Sequence, residues 1–146
     1  MTGPPTSDRQ HGNTIDCSLV ICTRNRATSL ERCLAAVRRI RSALRWELVV
    51  VDNGSTDDTE RVVEEHRARA DHPVRYRREP EPGLARARNV GCRSARGEIL
   101  VLTDDDCYPE PDFVDAVAAT FDRHSVGYIG ARILLYDLDD AALTVR

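Results

Sequence analysis

Glu47-Leu48-Val49-Val50-Val51-Asp52-Asn53-Gly54-Ser55-Thr56-Asp57-Asp58 decides the fold. An apolar run without polar alternation is a strand buried on both faces, the condition of a parallel sheet covered by helices. Asp52, Asn53 and Gly54 then supply turn residues, and Ser55-x-x-Asp58 has the form of a capping box opening a helix. Strand, turn and helix start within twelve residues describe one β-α unit. That helix carries Val62 and Val63 and little else apolar, which places it at the periphery.

Working outward, Ser18 to Thr23 is a second near-continuous apolar strand. After it, Thr28-x-x-Glu31 forms another capping pattern, and Leu30, Cys33, Leu34, Val37, Ile40, Arg41 and Leu44 recur at helical spacing. On the other side, Pro73 to Arg78 predicts a third strand. Glu79-Pro80-Glu81-Pro82-Gly83 is a loop that its prolines keep extended, and Leu84 to Ala95 is a helix of small residues. Glu98 to Thr103 predicts a fourth strand, Asp104 to Pro111 a polar turn, and Asp112 to Arg123 a helix with Phe113, Val117, Ala118 and Phe121 on one side. Val126 to Leu135 predicts a fifth strand. Strands alternating with helices give an α/β fold with a mostly parallel sheet and flanking helices. Residues 1–14, rich in Gly, Pro, Thr, Ser and Asn, read as a disordered tail, and 15–146 as one domain.

The bulk properties narrow the function. A chain of 146 residues with 41% hydrophobic and 31% charged residues suits one globular core. Its 21 basic and 24 acidic residues leave a formal charge of -3, which gives no general attraction to nucleic acid or to an anionic membrane. Any anion must be bound locally. No run approaches the ~20 apolar residues of a membrane helix, so no membrane segment of its own is expected. Cys17, Cys22, Cys33, Cys92 and Cys107 are odd in number and scattered, which reads as reduced thiols and a cytoplasmic location.

In an open parallel sheet the binding crevice lies outside the carboxyl ends of the strands, so the polar residues there are the candidates. Asp104-Asp105-Asp106 follows the fourth strand in Asp-x-Asp form. Adjacent carboxylates repel unless a cation is present, and Asp104 and Asp106, two apart in extended chain, can point the same way. Mg²⁺ or Mn²⁺, held by one or two carboxylates plus phosphate oxygens, would relieve that repulsion; the alternative is a solvated acidic turn. Asp52, with Asn53 and Gly54, is either an ordinary turn or an acceptor for a base or ribose. Arg86, Arg88 and Asn89 lie on the helix that opens after Gly83, where an arginine fork can hold phosphate oxygens or merely face solvent. Thr23-Arg24-Asn25-Arg26 after the first strand carries the same two readings. His11, His66, His72 and His124 have no evident catalytic companion, and no dinucleotide fingerprint, phosphate-binding loop or nucleophile elbow is present.

Taken in order, Val20-Ile21-Cys22-Thr23-Arg24-Asn25-Arg26, Val49 to Asp57, Gly83 to Gly91, and Leu102 to Asp106 with Pro109 and Asp112 behind resemble family 2 glycosyltransferases. The resemblance runs from about Cys17 to Leu135 and implies a GT-A, Rossmann-like fold, here incomplete at its C-terminal end. It further implies transfer, with inversion, of a sugar from a nucleoside diphosphate (UDP, GDP or dTDP) to an acceptor hydroxyl. Thr23 and Asp52 would contact the nucleotide, with Asp52 on the base. Arg88 and its neighbours would approach the diphosphate or ribose, Asp104 the ribose or sugar, and Asp106 the metal. The general base of such enzymes lies well downstream of the metal motif, and about 40 residues follow Asp106, so the base is expected outside this chain. Asp137, Asp139 and Asp140 read as solvated loop residues. Uncovered apolar surface around Ile129 to Leu135 predicts association with a second copy or a completing partner. The rival readings are a non-catalytic nucleotide-sugar-binding module and phosphotransfer at a strand-end aspartate.

Overall fold

Strands and helices alternate through residues 14–134, the part of the chain that the computed structural model describes. In order they are β1 (Cys17–Thr23), α1 (Ala27–Val37), β2 (Trp46–Asp52), α2 (Thr59–Arg67), β3 (Val74–Arg78), α3 (Leu84–Ser94), β4 (Ile99–Asp104) and α4 (Phe113–Arg123). The strands form one sheet in the order β3-β2-β1-β4, and every pairing is parallel.

β1 and β2 occupy the centre, and the continuous apolar runs exist for that reason: both faces of both strands are covered. On one face Leu19, Ile21, Leu48 and Val50 pack with Leu30, Leu34 and Val37 of α1, Val62 and Val63 of α2, and Val114 of α4. On the other, Val20, Val49 and Val51 pack against Ala87 of α3. The small residues of α3 allow a close approach. A Cβ on Gly91 would lie 2.4 Å from a Val20 methyl. β4 alternates between half-buried and exposed residues, and Leu100 (41% exposed) and Leu102 (48%) lie uncovered beside α3.

At the amino ends of the strands, Ser18, buried Glu47 and the 96–97 turn form a polar knot. Ser18 donates to Glu47 at 2.8 Å, and the backbone N–H groups of Arg96 and Gly97 donate to Glu47 Oε1 and Ser18 Oγ, both at 2.8 Å. The knot fixes where β4 enters the sheet.

Several local expectations are corrected. Neither capping box forms. α1 begins at Ala27, whose N–H donates to Asp57 Oδ2 at 2.9 Å, and Ser55 Oγ accepts from Asn25 N instead of capping α2. The helical spacing that continues to Leu44 does not continue the helix: α1 ends at Val37 because Arg39 and Ile40 tighten to three-residue hydrogen bonds and the Arg41 N–H turns away to Pro111 O at 2.7 Å. The Arg41 guanidinium closes the end by donating to the Arg38 and Ile40 carbonyls, each at 2.9 Å. Ile40 is nevertheless buried, so the apolar signal was one of burial rather than of helix.

The fifth strand expected over Val126 to Leu135 is absent from its described part, 126–134. No neighbouring strand offers it hydrogen bonds, and Gly127 and Gly130 stand in open space, with nothing within 4 Å of a Cβ placed on either. α2 is less peripheral than its composition suggests, since Thr59 and His66 are buried beside its two valines. The tail expected over 1–14 lies, Thr14 apart, outside the described residues, as do Leu135, Asp137, Asp139 and Asp140. Among the described residues no helix is long and apolar enough to cross a membrane.

Candidate functional site

Parallel register brings the polar strand ends into one row. Thr23 is level with Asp52, Asp52 with Arg78, and Cys22 with Asp104. All four strands therefore deliver side chains to the same edge of the sheet, where ligands bind in folds of this type.

The three aspartates part company there. Asp104 ends β4 and is exposed, Asp105 turns inward to 3% exposure, and Asp106 is exposed again. Asp105 accepts from the Thr23 hydroxyl at 2.6 Å and forms an ion pair with Arg26, Nε standing 3.3 Å away, while its backbone carbonyl accepts from Ser29 at 3.2 Å. Burial pushes the Asp105 carboxyl upward, against the downward pull of Thr23 and Arg26. Asp105 thus anchors the acidic turn. Asp106 accepts from Arg26 Nη2 at 2.9 Å, and Asp104 from Arg88 Nη2 at 3.3 Å. The hydrogen bond to Asp106, with the charges of all three aspartates, raises the Arg26 pKa.

The donor set suits a small hard cation. Asp104 and Asp106 present exposed carboxylate oxygens on either side of a buried anchor, and Mg²⁺ and Mn²⁺ are held by one or two carboxylates with water and phosphate completing the shell. Among the described residues no group of three or more His, Cys, Asp or Glu is placed so that it could hold a metal ion by itself, so a cation here would need ligand oxygens besides these two carboxylates.

Asp52 is fully buried and fully engaged. Its Oδ1 accepts from Ser55 N at 2.7 Å, and its Oδ2 from the Tyr76 hydroxyl at 2.6 Å and Arg78 Nη1 at 3.2 Å. Burial, then the adjacent carboxylate, pushes the Tyr76 phenol up to about 12, so it remains a donor. Arg78 also donates to the Ser55 carbonyl at 3.0 Å. Tyr76 and Arg78 were not among the sequence candidates. Their signal was alternation on β3, which places both on the Asp52 side of the third strand.

The two asparagines are clamps. Asn25, a non-glycine residue with positive φ (50°), accepts through Oδ1 from Thr56 N at 2.7 Å and so joins the loop after β1 to the loop after β2. Asn53 is buried; its Nδ2 donates to the carbonyls of Glu79 (3.3 Å) and Glu81 (2.7 Å), and its Oδ1 accepts from Gly83 N at 2.8 Å. The extended Glu79–Gly83 loop is held across Gly54, at φ 73°, where a Cβ would come within 2.9 Å of the Pro80 carbonyl. Arg86 pairs with Glu81 at 2.9 Å, while Arg24 and Asn89 are exposed at the same rim. The structure therefore gathers the candidates at one edge but divides them: Thr23, Asn25, Asp52, Asn53, Gly54 and Asp105 build the frame, and Arg24, Arg26, Arg86, Arg88, Asn89, Asp104 and Asp106 face outward.

Residues 18–143 match the sequence pattern of Glycosyl transferase family 2. The chain belongs to that family. Among relatives of this glycosyl transferase family 2 chain, Glycosyltransferase AglE of Haloferax volcanii is 28% identical over 117 residues, 80% of this chain and 38% of that protein. TarS of S. aureus in complex with UDP-GlcNAc superposes with a TM-score of 0.67 at 25% identity, over 82% of this chain and 37% of that one. The mannosyltransferase PcManGT of Pyrobaculum calidifontis, in complex with GDP-Man and Mn²⁺, gives 0.60 at 32% identity, over 66% and 29%. The chain spans less than two fifths of each of these proteins. Its parallel sheet with flanking helices is the corresponding part of the GT-A fold.

Proposed function

We propose that this part of a family 2 glycosyltransferase binds a nucleoside-diphosphate sugar together with Mg²⁺ or Mn²⁺ and presents the sugar for transfer to an acceptor hydroxyl. The observation that carries the reading is the division of the acidic turn. A buried Asp105, locked by Thr23, holds two exposed carboxylates, Asp104 and Asp106, at the carboxyl edge of a parallel sheet with arginines on either side.

In this reading Asp106, with Asp104, holds the cation, which would neutralise charge on the diphosphate as it leaves. Arg88, with Arg86 and Asn89 on the first turns of α3, lies along the diphosphate. Asp52, buried and ringed by Tyr76 and Arg78, backs the nucleoside end by holding Arg78, whose half-exposed guanidinium meets the base edge. The acceptor oxygen attacks the anomeric carbon, the bond from that carbon to the diphosphate oxygen breaks, and the acceptor proton passes to a base outside residues 14–134. Nucleotide complexes of TarS and PcManGT, the latter with Mn²⁺, support the assignment of ligand class.

Calorimetric titration of UDP, GDP and dTDP and their sugars, with and without Mn²⁺, tests the reading in the wild-type chain and in Asp104→Asn and Asp106→Asn. Metal-dependent binding by the wild type, reduced at least tenfold in each variant, is the expected result. Binding that ignores both Mn²⁺ and the two substitutions would overturn it.

A further inference from the structure

The Arg26 guanidinium is placed where the cation is needed. It lies 2.9 Å from Asp106 and 3.3 Å from Asp105, and within the field of Asp104 as well. Arg88 takes Asp104 at 3.3 Å. Three adjacent carboxylates are thus faced by two guanidinium charges, and a divalent cation carries the same charge as that pair. The arginines and the cation are therefore alternative answers to one electrostatic problem, the crowding of negative charge at the end of β4.

Arg26 is built to change partners without disturbing the fold. The backbone on both sides of it is pinned, Asn25 N donating to Ser55 Oγ at 2.9 Å and Ala27 N to Asp57 Oδ2 at 2.9 Å. Its side chain remains half exposed, and the anchor Asp105 keeps the Thr23 hydroxyl if the arginine leaves. A guanidinium released from Asp106 beside a bound diphosphate finds a planar acceptor of the kind its fork matches.

We propose that Arg26 is an exchange residue: it occupies Asp106 in place of the cation and transfers to the donor's diphosphate when the cation takes that carboxylate. The proposal rests on the donor-site reading above and adds a coupling to it. Arg26 opposes binding of the cation alone and favours binding of the cation with the nucleotide, which makes the two cooperative.

Two titrations on the same proteins test it: Mn²⁺ alone, followed by loss of the free-ion electron paramagnetic resonance signal, and UDP or GDP in saturating Mn²⁺, followed by calorimetry. Arg26→Gln and Arg26→Ala should bind Mn²⁺ alone roughly three- to tenfold more tightly than wild type, because a competing ion pair and a nearby positive charge are gone. They should bind the nucleotide on the order of tenfold more weakly, because a charge-assisted fork is lost. Arg26→Lys, which keeps the charge without the fork, should hold Mn²⁺ affinity near wild type and still weaken the nucleotide. Arg61→Ala, which breaks an exposed ion pair on α2, should change neither titration. A merely structural role for Arg26 would weaken both ligands together, and that result, or unchanged Mn²⁺ affinity, overturns the exchange while leaving the donor site standing. A wild-type chain that binds neither Mn²⁺ nor nucleotide overturns both.

Discussion

The Thr23 hydroxyl donates to the Asp105 carboxylate at 2.6 Å across a sequence separation of 82 residues, and this contact joins the end of β1 to the acidic turn after β4. Thr23→Val keeps the shape and leaves a buried carboxylate without its nearest donor. The expected cost is about 1–3 kcal/mol of unfolding free energy by urea titration, with Thr23→Ser near wild type. Equal stability of the Val and Ser variants would show that the hydroxyl does not hold the turn.

Gly97 has no room for a side chain. A Cβ there would stand 2.5 Å from Ser18 N and 2.6 Å from Cys17 C, both backbone atoms that the sheet cannot shift cheaply. Gly97→Ala should destabilise by roughly 2–4 kcal/mol, whereas Gly127→Ala, in open space, should change stability by less than about 0.5 kcal/mol. Thermal melts of the two variants side by side give the comparison.

His66 makes stability depend on pH. It is 2% exposed, no partner for either ring nitrogen stands among the described residues, and its ring lies 5.5 Å from that of His72, which itself stacks on Trp46. Burial first, then the charges of His72 and Arg38, brings its pKa down from 6.5 to about 4. Between those values the unfolded chain binds a proton that the folded chain refuses, so stability is full above about pH 6.5 and falls as pH drops toward 4. A loss on the order of 2–3 kcal/mol across that interval is expected at about 1.4 kcal/mol per unit. His66→Phe should flatten the profile. A wild-type profile level between pH 7 and pH 4.5 would contradict the buried neutral ring.

Cys33 lies under the acidic turn, its thiol directed at the Asp104 carbonyl at 3.8 Å. Burial pushes its pKa up to about 12 and that of Cys17 to about 11. Both should resist iodoacetamide at pH 8 in the folded chain and react fully in denaturant, read by mass spectrometry. Labelling of Cys33 at the rate of a free thiol would mean that the turn above it opens.

What could be read from the sequence was whatever one stretch of chain settles by itself. The apolar runs of β1 and β2 are legible because burial on both faces leaves no alternation to confuse them. The crowding of charge at Asp104–Asp106 is legible because adjacent carboxylates need a counter-charge, and in the fold Arg26 and Arg88 stand against them. The end of α1 was not, because it depends on Pro111 accepting the Arg41 N–H from far along the chain. The helix starts are hidden for the same reason: Ser55 serves the lead-in to α1 instead of α2, and Asp57 serves the start of α1 as well as Thr59. The split of the candidates into frame and rim was equally hidden, since Asn25 and Asn53 look like turn residues until the distant loops they clamp are in place.

The Asn53 carboxamide reaches three backbone groups of the Glu79–Gly83 loop at once, and Asn25 ties the first two loops together. The rim that carries the outward arginines and aspartates is therefore ordered when the chain folds, and the donor proposed for it would find little loop entropy left to lose. Selectivity at such a rim comes from geometry set in advance, so a ligand of the right charge but the wrong shape gains nothing from the loops adjusting to it.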